Sequence, residues 1–174
     1  MHNRLVSCAV LAYVSVLGYG QTAQAPKPSP ELQRLDYFAG KMSCEGVTKS
    51  DNAKSAGTMQ CAWFKGGFVL ECRSHVTVPT EGTGVNVFGY STAEKAYTLY
   101  SYGNTGSWPS VRKGQRQGTT WTFDREGTYS GKPAKYQLVM TEDSPVKSGY
   151  QWRRSVEGGP WTVTSEGSCT KENR

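Results

Sequence analysis

The sequence predicts an all-β fold: a single antiparallel up-and-down β-barrel of about ten strands with a short N-terminal helix. Short segments of alternating apolar and polar residues recur along the chain, separated by Gly, Pro, Asn and Asp, as in sandwiches and barrels. Twenty glycines in 174 residues can supply the positive φ angles that tight turns and bulges need. Four of the five cysteines lie where two disulfides would join neighbouring strands, which favours a closed barrel.

Residues 1–25 are predicted to be a signal peptide, followed by a linker at 26–30 and one barrel domain at 31–174. Arg4 gives a basic start, the run from Leu5 to Gly18 is apolar and uncharged, and small residues precede Ala25 as at a cleavage site. The apolar run is shorter than the roughly 17 residues that a membrane-spanning helix needs, although an uncleaved anchor is the alternative. We therefore expect a periplasmic or secreted protein with no stable membrane anchor after cleavage.

A short helix of about two turns is predicted after the linker. Ser29 suits the N-cap position, since a serine side chain can accept a hydrogen bond from the first turn. Leu32, Leu35 and Phe38 then recur at helical spacing, and Gly40 is a natural stop.

About ten strands account for the rest of the domain. Tyr136, Leu138 and Met140 alternate with Lys135 and Gln137, which is typical of a strand with one buried face. The predicted strands lie near residues 41–49, 57–65, 68–78, 84–91, 96–103, 108–113, 118–125, 134–141, 149–156 and 161–170. No internal repeat and no second domain are evident.

The segment from Cys61 to Cys72 predicts a hairpin closed by a disulfide. Gly66 and Gly67 suit the central positions of a two-residue turn, because both can adopt positive φ. Such a turn places the two cysteines opposite each other at ~4.5–5.5 Å, within reach of a disulfide. A two-residue loop would also make them a hydrogen-bonded pair, the wider kind in an antiparallel ladder.

Cys44 and Cys169 are then left to pair, because Cys8 falls in the predicted signal peptide. Cys44 lies early in the first predicted strand and Cys169 late in the last one. In an up-and-down barrel with an even number of strands these two strands are antiparallel neighbours, so the bridge would join the closing seam. An even number of cysteines in an exported chain is typical of disulfides, although crossed pairing or free thiols are the alternatives.

Several short motifs follow one another in a fixed order. They are Leu35-Asp36-Tyr37-Phe38-Ala39-Gly40, Met42-Ser43-Cys44-Glu45-Gly46, Phe64-Lys65-Gly66-Gly67-Phe68-Val69-Leu70-Glu71, Phe88-Gly89-Tyr90 before Tyr97, and Trp161 followed by Glu166-Gly167-Ser168-Cys169-Thr170-Lys171. In this order the chain, from about Leu32 to Lys171, resembles the bacterial domain-of-unknown-function family numbered 1579, in a secreted, cysteine-containing branch. That family typically has Asp after the Gly-Tyr pair, where this chain has Ser91. The resemblance implies export and a lipocalin-like (calycin-like) barrel with one end closed by the helix, and no established activity.

The charge balance is mildly basic and spread along the chain. Twenty Lys and Arg against fourteen Asp and Glu give a formal net charge of +6, which predicts no nucleic-acid footprint. Arg112, Lys113 and Arg116 predict a basic turn near Trp108 and Trp121. As an alternative function, this turn could serve a protein-interaction or inhibitor module whose partner is unknown.

Catalytic chemistry has little support. The chain has no nucleophile elbow, no H-E-x-x-H and no phosphate-binding loop, so no catalytic residue, metal site or cofactor is predicted and a non-enzymatic role is favoured. His75 alternates with Glu71 and Arg73 on the polar face of its strand. If that strand were inverted, these three residues would line a polar interior, which gives an alternative enzyme site or haem-binding barrel.

The aromatic residues carry the main functional hypothesis, a small apolar or amphipathic ligand bound inside the barrel. Barrels of about eight or more strands can enclose a cavity for one small ligand. Ten tyrosines, five tryptophans and five phenylalanines can fill the core or line such a cavity. The residues predicted to line it are Trp63, Leu70, Phe88, Tyr100, Trp121 and Trp152.

Overall fold

The computed structural model describes residues 26–104 and 110–172, which form one closed antiparallel barrel. Each strand pairs with its neighbours in the sequence, and the first strand pairs with the last. The strands are β1 (Gly40–Thr48), β2 (Lys54–Trp63), β3 (Leu70–Val78), β4 (Gly82–Ser91), β5 (Ala96–Gly103), β6 (Ser110–Gln117), β7 (Thr120–Tyr129), β8 (Lys132–Ser144), β9 (Lys147–Val156) and β10 (Thr162–Lys171). The predicted ten-stranded up-and-down barrel is confirmed. The predicted signal peptide and Trp108 lie outside the described residues.

A nine-residue 3-10 helix, Pro30–Phe38, lies across one end of the barrel. This helix has about three residues per turn, so Leu32, Leu35 and Phe38, spaced by three, align on one buried face. The predicted helix is therefore present, with a tighter winding that the constant spacing of three favours. Ser29 takes the N-cap position, but its hydroxyl donates to the Glu31 carboxylate (2.7 Å) instead of capping the backbone.

Hydrogen bonds tie the helix to the barrel wall at widely separated strands. They join the Tyr97 hydroxyl to the Glu31 carbonyl (3.1 Å), the Trp63 Nε1 to the Asp36 carboxylate (2.5 Å) and the Tyr37 hydroxyl to the Lys147 carbonyl (2.6 Å). The wall residues belong to β5, β2 and β9, so the contacts surround the opening. This end of the barrel is closed.

The half of the barrel nearest the helix is a packed aromatic core. The Phe38 ring lies against Phe88 (centroids 6.0 Å apart) and Trp121 (5.4 Å). Trp121 and Phe123 are completely buried. A Cβ atom on Gly114 would lie 2.3 Å from the Phe123 ring, so β6 needs glycine there for that ring to fit.

The turn of the predicted hairpin differs from the expected one. The Gly67 amide donates to the Phe64 carbonyl (2.9 Å), so Lys65 and Gly66 are the central residues of the turn. The prediction of Gly66 and Gly67 at the centre was wrong by one position. Both glycines have positive φ, 100° and 73°, so the backbone freedom that singled them out is still used.

The Cys61–Cys72 disulfide forms in the predicted register. The Phe64 amide donates to the Val69 carbonyl (3.0 Å), and hydrogen-bonded and non-hydrogen-bonded pairs alternate from there along the ladder. Cys61 and Cys72 are therefore a non-hydrogen-bonded pair, the closer kind, with their Cα atoms 4.0 Å apart. The expected wider pair was wrong, and the shifted turn explains why.

The Cys44–Cys169 disulfide joins β1 to β10 at the seam, as predicted. The two residues are direct partners in the ladder, with their Cα atoms 4.0 Å apart. The strand pairing and the bridge close the ring at the same place. Both disulfides are typical of an oxidising compartment. Within the described ranges, no helix is long and apolar enough to cross a bilayer.

The predicted basic turn is a strand. β6 continues through Arg112, Lys113 and Arg116, and the chain turns only after Gln117, which pairs with Thr120. Burial alternates along β6, so Arg112 and Arg116 point inward while Lys113 points outward. The three cations therefore do not form one basic surface.

Removing the two disulfides separately should destabilise the protein unequally. Replacing Cys44 and Cys169 by alanine opens a loop with a sequence separation of 125, and replacing Cys61 and Cys72 opens one of 11. By the chain-entropy model the first change costs about 5 kcal/mol and the second about 3 kcal/mol. Urea denaturation of the two double variants measures the difference. An equal or larger loss from the hairpin bridge would contradict the dominant role of the seam.

Candidate functional site

The half of the barrel away from the helix contains a cavity with two connected compartments. The outer compartment has a volume of about 840 Å³ and lies at the open end. The inner compartment has a volume of about 290 Å³ and reaches down to the aromatic core. The two compartments form one continuous space, because four residues line both of them: Ser74, Val76, Asn86 and Trp152.

The inner compartment is mainly apolar. Its lining includes Phe38, Phe88, Leu99, Leu138, Met140, Trp152 and the seam cysteines Cys44 and Cys169. Phe38 belongs to the helix, so the element that closes the barrel also forms the floor of the cavity. The compartment can hold apolar groups away from water.

The outer compartment is more polar than the inner one, and it is cationic. Two arginines line it together with Ser74, Asn86, Ser101, Ser110 and backbone from β4, β5 and β7. No aspartate or glutamate is among the described residues that line either compartment. The charge of these arginines is therefore not balanced from within the cavity.

Arg112 is the more buried of the two arginines, with 7 % of its surface exposed. Its Nη1 donates to the Ser110 hydroxyl (2.6 Å), and its guanidinium lies 4.9 Å from the centre of the Trp152 ring. Its Nε is buried and has no hydrogen-bond partner among the described residues. Burial, and secondly the charge of Arg125, lowers the pKa of Arg112 to about 10.

Arg125 lies beside Arg112 on the next strand. The β6–β7 ladder pairs Lys113 with Asp124, and continuing this register by one position places Arg125 opposite Arg112. The Arg125 guanidinium lies 4.1 Å from the centre of the Tyr136 ring, and its Nε is also buried without a partner in the described part of the chain. Two like charges are thus held side by side on the cavity wall.

Arg116, two inward positions further along β6, has a different environment. Its Nε and Nη2 each donate to the Glu142 carboxylate at 3.1 Å, and the Trp121 Nε1 donates to the same carboxylate at 2.7 Å. The side chains of Arg116 and Glu142 are only 20 % and 14 % exposed. This ion pair belongs to the filled half of the barrel, where the cation is neutralised by the protein itself.

Two of the six predicted ligand-lining residues, Phe88 and Trp152, line the cavity. Three others pack into the filled half near the helix: Trp63, Leu70 and Trp121. Tyr100 is 40 % exposed on the outer face, so the prediction that it faces the interior was wrong. The error arises because β5 carries aromatic residues on both faces.

The alternative polar site also lies outside the barrel. Leu70 and Cys72 of β3 are fully buried, so the strand is not inverted and its polar residues face outward. Arg73 pairs with Glu71 at 2.7 Å on this outer face. His75 is half-exposed there and contacts Glu81 at 3.1 Å. The inverted strand that this site required is therefore absent. No group of three or more His, Cys, Asp and Glu in the described ranges could hold a metal ion.

Arg125 was not among the predicted functional residues, and Arg112 was predicted to lie in a basic turn. A signal for Arg125 exists, because it follows Trp121 and Phe123 at alternating positions of one strand. Alternation places all three on the inner face. The cationic residues of the cavity are therefore recognisable only once the inner face of each strand is known.

Arg112 and Arg116 share one face of β6, but replacing them by methionine should change stability in opposite directions. The folded protein holds the Arg112 proton less tightly than the unfolded chain, so this charge opposes folding at neutral pH. Arg112→Met should therefore raise the free energy of unfolding by about 1–2 kcal/mol. Arg116→Met leaves the Glu142 carboxylate largely buried without its partner. This variant should lower the free energy of unfolding by about 3 kcal/mol. Urea denaturation at neutral pH measures both, and a less stable Arg112→Met protein would contradict the uncompensated charge.

Comparison with known proteins shows similarity at the level of fold. No protein-family model and no curated protein sequence matches the chain. The crystal structure of Rv2717c from M. tuberculosis has a TM-score of 0.56 at 12% identity, covering 84% of this chain and 100% of that one. A de novo designed fluorescence-activating β-barrel gives a TM-score of 0.45 at 11% identity, with 79% and 95% covered. A redesigned barrel, mFAP0, solved with DFHBI bound, gives 0.43 at 13% identity, with 78% and 99% covered. The likeness to Rv2717c shows the barrel fold alone, and the relationship to the family numbered 1579 stays a prediction.

Proposed function

We propose that this protein is an exported binding protein that holds one small apolar or amphipathic molecule inside its barrel. The observation that carries the proposal is the continuous cavity, whose outer and inner compartments measure about 840 and 290 Å³. Pockets for small molecules typically have volumes of about 300–1,000 Å³ and occur in the mouths of β-barrels. The outer compartment has a volume within this range, the inner one lies near its lower limit, and the cavity has the position of such a pocket.

The polarity of the cavity favours an amphipathic molecule. Apolar side chains line the inner compartment, whereas serines, Asn86 and two arginines line the outer one. A molecule with an apolar part and a polar end would bury the first against the aromatic floor and keep the second near the open end. The helix closes the other end, so ligand entry through the open end is part of the proposal.

Export is supported by the two disulfides, which form and persist in oxidising compartments. The predicted signal peptide and the relationship to the family numbered 1579 belong to the same proposal. A secreted or periplasmic carrier, scavenger or sensor of a small molecule would each need the cavity described above.

Filling the passage between the compartments should abolish binding. Ser74 points inward on β3 and lines both compartments, so Ser74→Trp places an indole in the passage. The neighbouring Arg73 points outward and lines neither compartment, so Arg73→Trp adds the same side chain to the outer surface. With Nile red, a neutral fluorescent probe of apolar sites, we expect saturable binding to the wild type and an affinity reduced about tenfold or more in Ser74→Trp. The affinity of Arg73→Trp for Nile red should stay within about twofold of the wild type.

Circular dichroism and urea denaturation of both variants establish that they remain folded. No saturable Nile red binding to the wild type would contradict a ligand-binding cavity. An equal loss in the two variants would place the binding site elsewhere than inside the barrel.

A further inference from the structure

Two arginines line the cavity, and no anionic group lies among the other described residues that line it. Arg112 is more than nine-tenths buried, and Arg125 lies opposite it at the next position of the β6–β7 register. A buried charge is costly unless a partner of opposite sign compensates it. No carboxylate lines the cavity in the described part of the chain, and neither guanidinium has an ion-pair partner there.

The same barrel shows what a compensated arginine looks like. Arg116 lies on the same strand and the same face, and Glu142 binds its guanidinium through two hydrogen bonds of 3.1 Å. Arg112 instead has the Ser110 hydroxyl at 2.6 Å and the Trp152 ring. A hydroxyl and a ring orient a guanidinium, but they do not neutralise it. The protein thus supplies the counter-charge at the filled end and leaves it out at the open end.

We propose that Arg112 and Arg125 bind the anionic headgroup of an amphiphile, a carboxylate at the end of an apolar chain that occupies the inner compartment. This inference rests on the proposed function and names the class of its ligand. Guanidinium groups are the side chains best suited to carboxylates, which they hold through charge-assisted hydrogen bonds. Trp152 lines both compartments and stacks near Arg112, so it marks the point where headgroup and chain meet.

The lining argues against other classes of ligand. A cation would meet two like charges, and a neutral apolar molecule would leave both guanidinium groups without a counter-charge, with Arg112 buried and Arg125 partly buried. A large polyanion needs several cationic groups along its length, whereas the inner compartment offers mainly carbon and sulfur surface. Serines 101 and 110 and Asn86 add hydroxyl and amide donors around one small anionic group.

The experiment compares dodecanoate with dodecan-1-ol, which has the same chain and no charge. Isothermal titration and displacement of Nile red are measured on the protein with both disulfides formed. Dodecanoate should bind the wild type about tenfold or more tightly than the alcohol, because hydrogen bonds to charged groups contribute more than neutral ones. Arg112→Met and Arg125→Met should each weaken dodecanoate about tenfold and leave dodecan-1-ol within about twofold.

Lys113→Met is the matched control. Lys113 is adjacent to Arg112 on β6, points outward and pairs with Glu94 at 2.8 Å, so its loss changes the net charge equally without touching the cavity. Dodecanoate binding to this variant should stay within about twofold of the wild type. An equal loss in Lys113→Met and Arg112→Met would overturn the site, because general attraction between a basic protein and an anion would then explain the binding.

Failure of this inference is distinguishable from failure of the proposed function. If dodecanoate and the alcohol bind equally and the arginine variants change neither, the cavity binds molecules but the anion site is overturned. If neither compound binds and Nile red does not bind either, both the anion site and the proposed function are overturned. Inorganic phosphate and dodecyl phosphate complete the test. If inorganic phosphate binds as tightly as dodecanoate, the requirement for an apolar chain is overturned. If the affinity for dodecyl phosphate is more than tenfold higher than that for dodecanoate, the choice of a carboxylate is overturned.

Discussion

Ring closure is the constraint on which the rest of the structure depends. Around eight strands give an interior that side chains can just fill, and each added strand widens it. Ten strands therefore leave more interior than the wall can occupy. The helix contributes Leu32, Leu35 and Phe38 to one half, where they complete an aromatic core with Trp121 and Phe123. The other half stays open as the cavity, so the cavity follows from the number of strands and from a helix that fills only one end.

The inward-facing arginines at the two ends of the barrel also differ in whether the protein supplies a counter-charge. At the filled end Arg116 is paired with Glu142, as a largely buried cation requires. At the open end Arg112 is as buried as a core residue, yet its neighbours in the described part of the chain are serine hydroxyls, the Trp152 ring and the like charge of Arg125, with no carboxylate among them. Such an arrangement costs folding free energy, and a site arranged for an external partner commonly does so. Along one strand, Arg116 is neutralised by a carboxylate of the protein, whereas Arg112 has no anionic partner among the described residues, which is the basis of the proposed anion site.

Most of the fold was predictable from the sequence, because its strongest signals are either short-range spacings or consequences of closing a barrel with an even number of strands. The spacing between Cys61 and Cys72 defines the hairpin register, and an even number of strands brings Cys44 to Cys169. The inward position of Arg112 was not predictable in this way. β6 is polar on both faces and its inward Gly114 breaks the alternation, so no period of two marks Arg112 as inward. β5 has the opposite ambiguity, because aromatic residues on both faces made Tyr100 look like a lining residue.

The seam disulfide both closes the barrel and lines the cavity. Cys44 and Cys169 join the first and last strands and also line the inner compartment, so the bond that closes the ring is part of the wall of the cavity. A cavity and two unpaired guanidiniums both reduce the stability of the folded state. A covalent link across a separation of 125 residues raises the free energy of the unfolded chain instead, without adding atoms that would occupy the polar compartment. The cross-links and the packed half thus supply the stability of the fold, so the open half can keep a cavity that the wall residues do not fill.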